Sequence, residues 1–165
     1  MSDSDTVLLR HPTAADGYAL NQLVAANPPL DPNSIYCNLL QCSHFADTAI
    51  AAFKGEQMVG FASGYVLPKE PNVLFVWQIV VDPAARGLGL AKKLVKAQLA
   101  SDACERVTHM HTTITPDNEA SWGVFKSLAR DLQTELNSDV YFEKEQHFGG
   151  VHDDEHRLVI GPFKR

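Results

Sequence analysis

The sequence predicts an α/β protein with a mixed, largely antiparallel sheet flanked by helices, in a single domain spanning residues 1–165. Segments with strand-like and helix-like apolar spacing alternate along the chain, and one central apolar run has the length of a buried strand. The chain of 165 residues has 45% hydrophobic and 21% charged residues. This length and composition are those of one ordinary globular domain.

The first half of the chain predicts two helices and a strand hairpin. In order, the expected elements are a strand at 7–10, a helix at 14–26, a loop at 27–33, a helix at 34–45 and strands at 48–53 and 58–67. Thr13 is placed to cap the first helix, and Pro28, Pro29 and Pro32 exclude a helix interior between the two helices. Gly55, in the short connection between the two strands, favours an antiparallel hairpin.

The second half predicts two strand–helix units and a final strand. The expected elements are a strand at 73–81, a helix at 87–100, a strand at 107–114, a helix beginning at Asn118 and a strand at 158–160. The strand at 73–81 is apolar on both alternating faces except at Gln78, which is typical of a central strand. The periodicity of residues 133–154 is too weak to predict an element.

Charge and cysteine usage exclude several functional classes. The 14 basic and 20 acidic residues give a net charge of -6, which repels nucleic acids and anionic membranes. The apolar run at 7–9 is too short for a signal peptide, and 73–81 is half of a membrane span, so a cytoplasmic protein is expected. Three cysteines without CxxC spacing predict neither a disulfide framework nor a zinc site.

The stretch from Ile79 to Ala91 predicts a strand that turns through a glycine-rich loop directly into a helix. Backbone N–H groups and the positive end of the helix dipole would converge there, which favours binding of a phosphate. Gly87 and Gly89 allow a bulky anion to approach the backbone. Arg86 and three lysines lie within eleven positions, and no acidic residue occurs from Pro83 to Ser101.

The loop fits neither of two common phosphate-binding patterns, GxxxxGK[ST] and GxGxxG. It reads R-x-x-G-x-A, and with the order of elements it resembles the GCN5-related N-acetyltransferases (GNAT), which implies acetyl-CoA as co-substrate. By that resemblance the residues expected to contact the cofactor are Ile79, Val81, Arg86, Gly87, Leu88, Gly89, Leu90, Ala91, Asn118, Ser121 and Phe125. Asn118 could equally be only a helix cap. Phe125 stands where many relatives have a tyrosine that protonates the leaving thiolate, so that acid is absent here.

Four further segments resemble the members of this family that acetylate the terminal N4 amine of L-2,4-diaminobutyrate on the route to the compatible solute ectoine. These segments lie at 28–36, 75–78, 112–122 and 149–155, followed by a similar end at 160–163. The resemblance implies a diamine site lined by Asp31, Tyr36, Trp77, His152 and Glu155, and a homodimer. Asn38 departs from the pattern, because relatives commonly have a second tyrosine at this position.

The chemistry of these residues suits a cationic substrate. Asp31 and Glu155 are carboxylates on expected loops, and the Trp77 ring can lie against an ammonium group. Each residue also has a purely structural interpretation: Asp31 as a turn residue, Glu155 as part of a solvated acidic run and Trp77 as a core residue. His152 or Glu155 is the expected base for the attacking amine, since only a deprotonated amine attacks a thioester.

Three alternatives stay open from the sequence. His147, His152 and His156 with Asp153 could form a metal site, but their spacing matches no motif and no metal is expected. The enzyme could acetylate another small amine. The chain could also be a CoA-binding sensor without turnover, which the phenylalanine at position 125 keeps open.

Overall fold

The structure is a computed structural model that describes residues 6–164. Contacts divide the described residues into two compact units, one of residues 6–66 and 76–105 and one of residues 67–75 and 106–164. The expectation of a single domain therefore stays a prediction. Residues 1–5, at the start of the segment in which no signal peptide is expected, lie outside the described residues.

The first unit contains the predicted hairpin and three helices. Its elements are β1 (Val7–Arg10), α1 (Gly17–Ala25), α2 (Ile35–Cys42), β2 (Ile50–Lys54), β3 (Gln57–Leu67), β4 (Glu70–Val81) and α3 (Leu90–Leu99). The last residue of β3 and the first part of β4, up to residue 75, belong to the second unit. β1 pairs with β2, and β2 with β3, both antiparallel. Lys54 lies opposite Gln57, and Gly55 takes a φ of 59° in the tight turn between them. The hairpin prediction is confirmed.

The first two helices are shorter than the sequence predicts. Residues 14–16 form a 3₁₀ turn before α1, in which the Asp16 carboxylate accepts the Thr13 N–H at 2.8 Å. Arg10 forms two hydrogen bonds with the same carboxylate, at 2.9 and 3.1 Å, and lowers the pKa of Asp16. α2 begins after Ser34, whose hydroxyl caps the Cys37 N–H at 3.1 Å, and ends at Cys42 rather than at residue 45.

Close packing of α3 against β3 depends on a small residue in the strand. A Cβ atom at Gly60 would lie 3.1 Å from Leu90 Cδ2 and 3.4 Å from Leu94 Cδ1. Both leucines are buried, at 3% and 0% exposure, in a core cluster with Ile50 and Val59. The start of α3 is therefore fixed against the sheet by apolar contacts.

The second unit contains β5 (His109–Ile114), α4 (Glu119–Asp131), β6 (Leu136–Phe142), β7 (Glu155–Ile160) and the first part of β4. β4 pairs parallel with β5 over Val73–Phe75 and His109–His111, whereas β5 and β6 both pair antiparallel with β7. β6 was not predicted, and β7 begins three residues earlier than expected. All residues of β6 after Leu136 are exposed, so the strand carries no apolar alternation.

The strand order is β1-β2-β3-β4-β5-β7-β6 in a seven-stranded sheet. With its one described parallel pair and its helices, this confirms the predicted α/β class with a mixed, largely antiparallel sheet. Within residues 6–164, no helix has the length and apolar character needed to cross a membrane.

Candidate active site

The glycine-rich loop joins β4 to α3 within the first unit. After Val81, the Asp82 N–H donates to the Val59 carbonyl at 2.8 Å, and the Asp82 carboxylate accepts the Ala84 N–H at 2.8 Å. Gly87 and Gly89 then take φ values of 84° and 66°, in the left-handed region that favours glycine. Because these two residues have non-helical backbone conformations, the helix begins at Leu90 and not at Gly87 as predicted.

The loop has the properties required of an anion site. Apart from the glycine itself and its two chain neighbours, no heavy atom lies within 4 Å of a Cβ built at Gly87 or Gly89, so the space beside the backbone is open. The first N–H groups of α3 have no acceptor one turn earlier in the helix and carry its positive partial charge. Arg86 and Lys93 are exposed. The residues present therefore fit a pyrophosphate, with Arg86 supplying the charge and the backbone supplying the donors.

Within this stretch, side chains and backbone have different surroundings. Arg86, Gly87, Leu88 and Gly89 are exposed, whereas Leu90 is 3% exposed in the core and can offer an anion only its N–H group. Ile79, Val81 and Ala91 are half-buried. Their contact with the cofactor stays a prediction.

The first unit also holds three of the predicted diamine residues. Asp31 and Tyr36 are exposed on the loop before α2 and on its first turn. Trp77 in β4 is 38% exposed, and its ring lies edge-to-face with Phe45 at 6.1 Å and Tyr65 at 5.9 Å between centroids. Trp77 is thus held by aromatic contacts while more than a third of it stays open to solvent.

Gln78 connects this loop to β4. Its Nε2 donates to the Asp31 carbonyl at 3.2 Å, and its Oε1 accepts from Asn33 Nδ2 at 3.1 Å. The loop carrying Asp31 is therefore bonded to the residue that follows Trp77. Gln78 is not among the predicted site residues, although a single polar residue in the apolar segment 73–81 is a signal visible in the sequence.

The second unit holds the remaining cofactor candidates at the start of α4. Asn118 is the N-cap, and its side chain accepts the Ser121 N–H at 3.2 Å. Ser121 is half-buried, and Phe125 is 2% exposed. The capping role of Asn118 is observed, and contact of these three residues with the cofactor stays a prediction.

His152 lies in the β6–β7 connection of the second unit. Glu155 comes directly after that connection and lies in a strand, not on a loop as predicted. His152 Nδ1 is 2.6 Å from the Asp153 carbonyl, and its ring centroid is 4.5 Å from that of Phe148. Because a carbonyl only accepts, Nδ1 carries the proton and the neutral ring has its lone pair on Nε2. Glu155 is the first residue of β7, and its Oε2 atom is buried. The chemical roles of both residues stay predictions.

The other two histidines of the possible metal cluster have separate partners. His147 Nδ1 accepts the Glu143 N–H at 2.7 Å, and the His156 ring lies 6.1 Å from the Trp122 ring. Across residues 6–164, the structure contains no group of three or more His, Cys, Asp or Glu side chains that could hold a metal ion.

Comparisons with known proteins agree with this geometry. The chain is 49% identical over 158 residues to the L-2,4-diaminobutyric acid acetyltransferase of Methylotuvimicrobium alcaliphilum, covering 96% of this chain and 92% of that one. It is 49% identical over 164 residues to the enzyme of the same name from Chromohalobacter salexigens, covering 99% and 85%. The solved structure of diaminobutyrate acetyltransferase EctA from Paenibacillus lautus, in complex with L-2,4-diaminobutyric acid and coenzyme A, superposes with a TM-score of 0.92 at 35% identity and 97% coverage of both chains.

The family model of the GNAT acetyltransferases matches residues 18–129, which include most of α1, the hairpin, the glycine-rich loop and most of α4. Together with two relatives at 49% identity over nearly the whole chain, this match confirms the resemblance seen in the R-x-x-G-x-A loop. The chain belongs to the acetyltransferase (GNAT) family.

Proposed function

We propose that the protein transfers the acetyl group of acetyl-CoA to the terminal N4 amine of L-2,4-diaminobutyrate, giving N4-acetyl-L-2,4-diaminobutyrate for ectoine synthesis. The observation that carries this proposal is on β4. Gln78, the residue after Trp77, donates a hydrogen bond to the loop of Asp31, and nine residues after Trp77 the same segment reaches Arg86 and the open glycine-rich loop. A diamine site and a pyrophosphate site on one short segment suit acetyl transfer between two small molecules.

Recognition of the substrate requires its two amines to be treated differently. The α-amine beside the carboxylate is held as an ammonium, for which we assign the Asp31 and Glu155 carboxylates. The exposed part of Trp77 offers a ring face to a cation, and Tyr36 offers an exposed hydroxyl. Anionic groups gathered at the α end leave the terminal amine free to lose its proton.

The reaction forms an amide bond from the terminal nitrogen to the acetyl carbon and breaks the thioester C–S bond. The terminal ammonium loses one proton before attack, and its nitrogen loses a second as the amide forms; one of these protons reaches the thiolate of the product CoA and the other goes to solvent. We assign removal of the proton that frees the terminal amine for attack to His152, because its Nδ1 contacts the Asp153 carbonyl and the lone pair of the neutral ring is therefore on Nε2. Glu155 is the alternative base, and in that case Asp31 alone holds the α-ammonium. Backbone N–H groups near the end of β4 are the proposed donors to the thioester oxygen. Phe125 has no proton to give, so water or another group protonates the thiolate.

The proposal extends to the state of the protein in the cell. We propose a homodimer in the cytoplasm, serving accumulation of a compatible solute under osmotic stress, with no nucleic-acid or membrane partner. Light scattering coupled to gel filtration tests the dimer, and a mass corresponding to one 18.1 kDa chain would contradict it.

The decisive experiment measures thiol release from acetyl-CoA with diaminobutyrate, its homologue one methylene shorter (2,3-diaminopropionate) and its homologue one methylene longer (ornithine). We expect diaminobutyrate to have the highest kcat/KM, and mass spectrometry of the product to place the acetyl group on N4. Faster turnover of a polyamine, an aminoglycoside or a peptide amine would favour another acetyltransferase. CoA binding without thiol release from any amine would favour a sensor.

A further inference from the structure

Six polar residues of the first unit form a closed ring of hydrogen bonds. The ring consists of Asn21, Asn33, Asn38, Gln41, Ser63 and Gln78. They come from α1, the loop before α2, α2 itself, β3 and β4. The ring therefore ties the loop of Asp31 to four separate elements of the unit.

The loop is bonded to this ring at two points. On one side, Asn21 Nδ2 donates to the Asn33 carbonyl and to Asn38 Oδ1, both at 3.0 Å. On the other side, Asn33 Nδ2 donates to Gln78 Oε1 at 3.1 Å, while Gln78 Nε2 donates to the Asp31 carbonyl at 3.2 Å. Both ends of the Gln78 amide are thus used on two residues of one loop.

The rest of the ring is buried and holds the backbone of Gln78. Asn38 Nδ2 donates to Gln41 Oε1 at 2.9 Å, and Gln41 Nε2 donates to Ser63 Oγ at 3.5 Å. Ser63 Oγ also accepts the Gln78 N–H at 3.1 Å. Asn38, Gln41 and Ser63 are at most 1% exposed. Because buried polar groups are costly to leave without partners, the ring has one favoured arrangement. Asn38, at the position where relatives commonly have a second tyrosine, is a buried member of this ring.

We propose that Gln78 is a positioning residue that sets the length of diamine the enzyme accepts, by holding the Asp31 loop at a fixed place on β4. This inference rests on the proposed function, in which Asp31 and Trp77 receive the α-ammonium end of the substrate. A fixed α end determines how far the terminal amine reaches toward the acetyl group. Since a misplacement of about 1 Å can cost about 100-fold in rate, a rigid loop discriminates between homologues that differ by one methylene.

The test replaces Gln78 by methionine, which keeps the length of the side chain and removes both loop bonds. We expect KM for diaminobutyrate to rise roughly 5- to 30-fold, the effect of losing one or two neutral hydrogen bonds. KM for acetyl-CoA should stay within about twofold. The preference for diaminobutyrate over ornithine and 2,3-diaminopropionate, as a ratio of kcat/KM values, should fall at least about fivefold. Gln57→Met is the matched control, because Gln57 is an exposed strand residue of β3 outside the ring.

A second variant tests whether the ring acts as a unit. Asn21→Ala removes the bonds to Asn33 and Asn38 at the other side of the loop, and we expect it to relax the preference in the same way. In the double variant the effects should be less than additive, because either change alone releases the loop. Fully additive effects would overturn the ring as the source of specificity. If Gln78→Met fails to fold, Asn33→Ala is the substitute variant. It removes the hydrogen bond from Asn33 Nδ2 to Gln78 Oε1 by changing the loop residue, and it tests in the same way whether this bond sets the preference among the diamines.

The outcomes separate this inference from the proposed function. If the wild-type protein does not acetylate diaminobutyrate, the proposed function fails first. If the wild type does so and Gln78→Met lowers only kcat, equally for all three diamines and with unchanged KM, Gln78 has a merely structural role and the inference is overturned. A raised KM for diaminobutyrate with a relaxed preference among the homologues supports it.

Discussion

Replacing Gly89 by aspartate and, in a matched variant, by asparagine tests the assignment of the β4–α3 loop to the pyrophosphate of CoA. The two side chains have the same shape, so both place a Cβ and a planar group beside the backbone at a φ of 66°. No protein atom lies within 4 Å of that Cβ, so neither change clashes with the fold. Both carry a left-handed strain of about 1 kcal/mol, which asparagine and aspartate tolerate better than most residues.

The difference between the two variants is therefore one negative charge. A carboxylate about 6 Å from one phosphate charge, at an effective dielectric constant of about 20, costs about 2.8 kcal/mol. That cost weakens binding about 100-fold. By titration calorimetry, we expect Gly89→Asn to bind CoA less than about tenfold more weakly than the wild type, and Gly89→Asp to bind it about a further 100-fold more weakly. The difference in CoA affinity between the two variants should become smaller at high salt, because salt screens the added charge.

Gly55→Asp is the control, because Gly55 has a φ of 59° and equally open surroundings but lies in the β2–β3 turn. It carries the same strain and the same added charge, and its CoA affinity should equal that of the wild type. Equal CoA affinities of Gly89→Asp and Gly89→Asn would refute the reasoning, because the added charge would then be remote from any bound phosphate.

Three further predictions concern the substrate, the pH dependence of stability and the thiols. Asp31→Asn should lower kcat/KM for diaminobutyrate about 10- to 150-fold, the value of a charge-assisted contact, with CoA affinity unchanged; a wild-type kcat/KM would contradict the assignment. Burial, with the nearby charge of Arg157, lowers the pKa of His111 below its usual 6.5, so the unfolded chain binds this proton more readily than the folded protein. The free energy of unfolding should fall as the pH drops below about 6.5, and His111→Gln should flatten that slope in urea titrations between about pH 5 and 7; an unchanged slope would exclude His111 as its source. Burial raises the pKa of the Cys42 thiol to about 12, so in the native protein an alkylating reagent at about pH 8 should modify the half-buried Cys37 well before Cys42, as peptide mapping would show.

The sequence predicted the elements whose pattern is local. Gly55 between two apolar segments indicated the hairpin, and the glycines after an apolar strand indicated the turn from β4 into α3, because both rely on backbone conformations that few other residues adopt. β6 could not be predicted in the same way. Its residues from Asn137 to Phe142 are exposed at the edge of the sheet, so pairing with β7 holds them rather than burial of an alternating apolar face.

The candidate site was predictable only where side-chain type alone suggests chemistry. Asp31 and Trp77 suit a cationic substrate by their nature, and the structure bonds the loop of one to the neighbour of the other. The ring through Asn38 and Ser63 is different, since its members are far apart in sequence and none has a distinctive local pattern. Only the fold brings these amides and hydroxyls within hydrogen-bond distance.

Gln78 shows why a polar residue in an apolar strand is informative. An unsatisfied amide in a central strand costs about 1–3 kcal/mol, so its presence implies partners that recover that cost. The backbone N–H of Gln78 has Ser63 Oγ as its partner. The partners of its Nε2 and Oε1 atoms are Asp31 and Asn33, which both belong to the loop of Asp31. An apolar residue at this position would satisfy the strand but would leave the loop without its bond to β4. In the proposed role of Gln78, glutamine places the loop where the α-ammonium of the proposed substrate would be held.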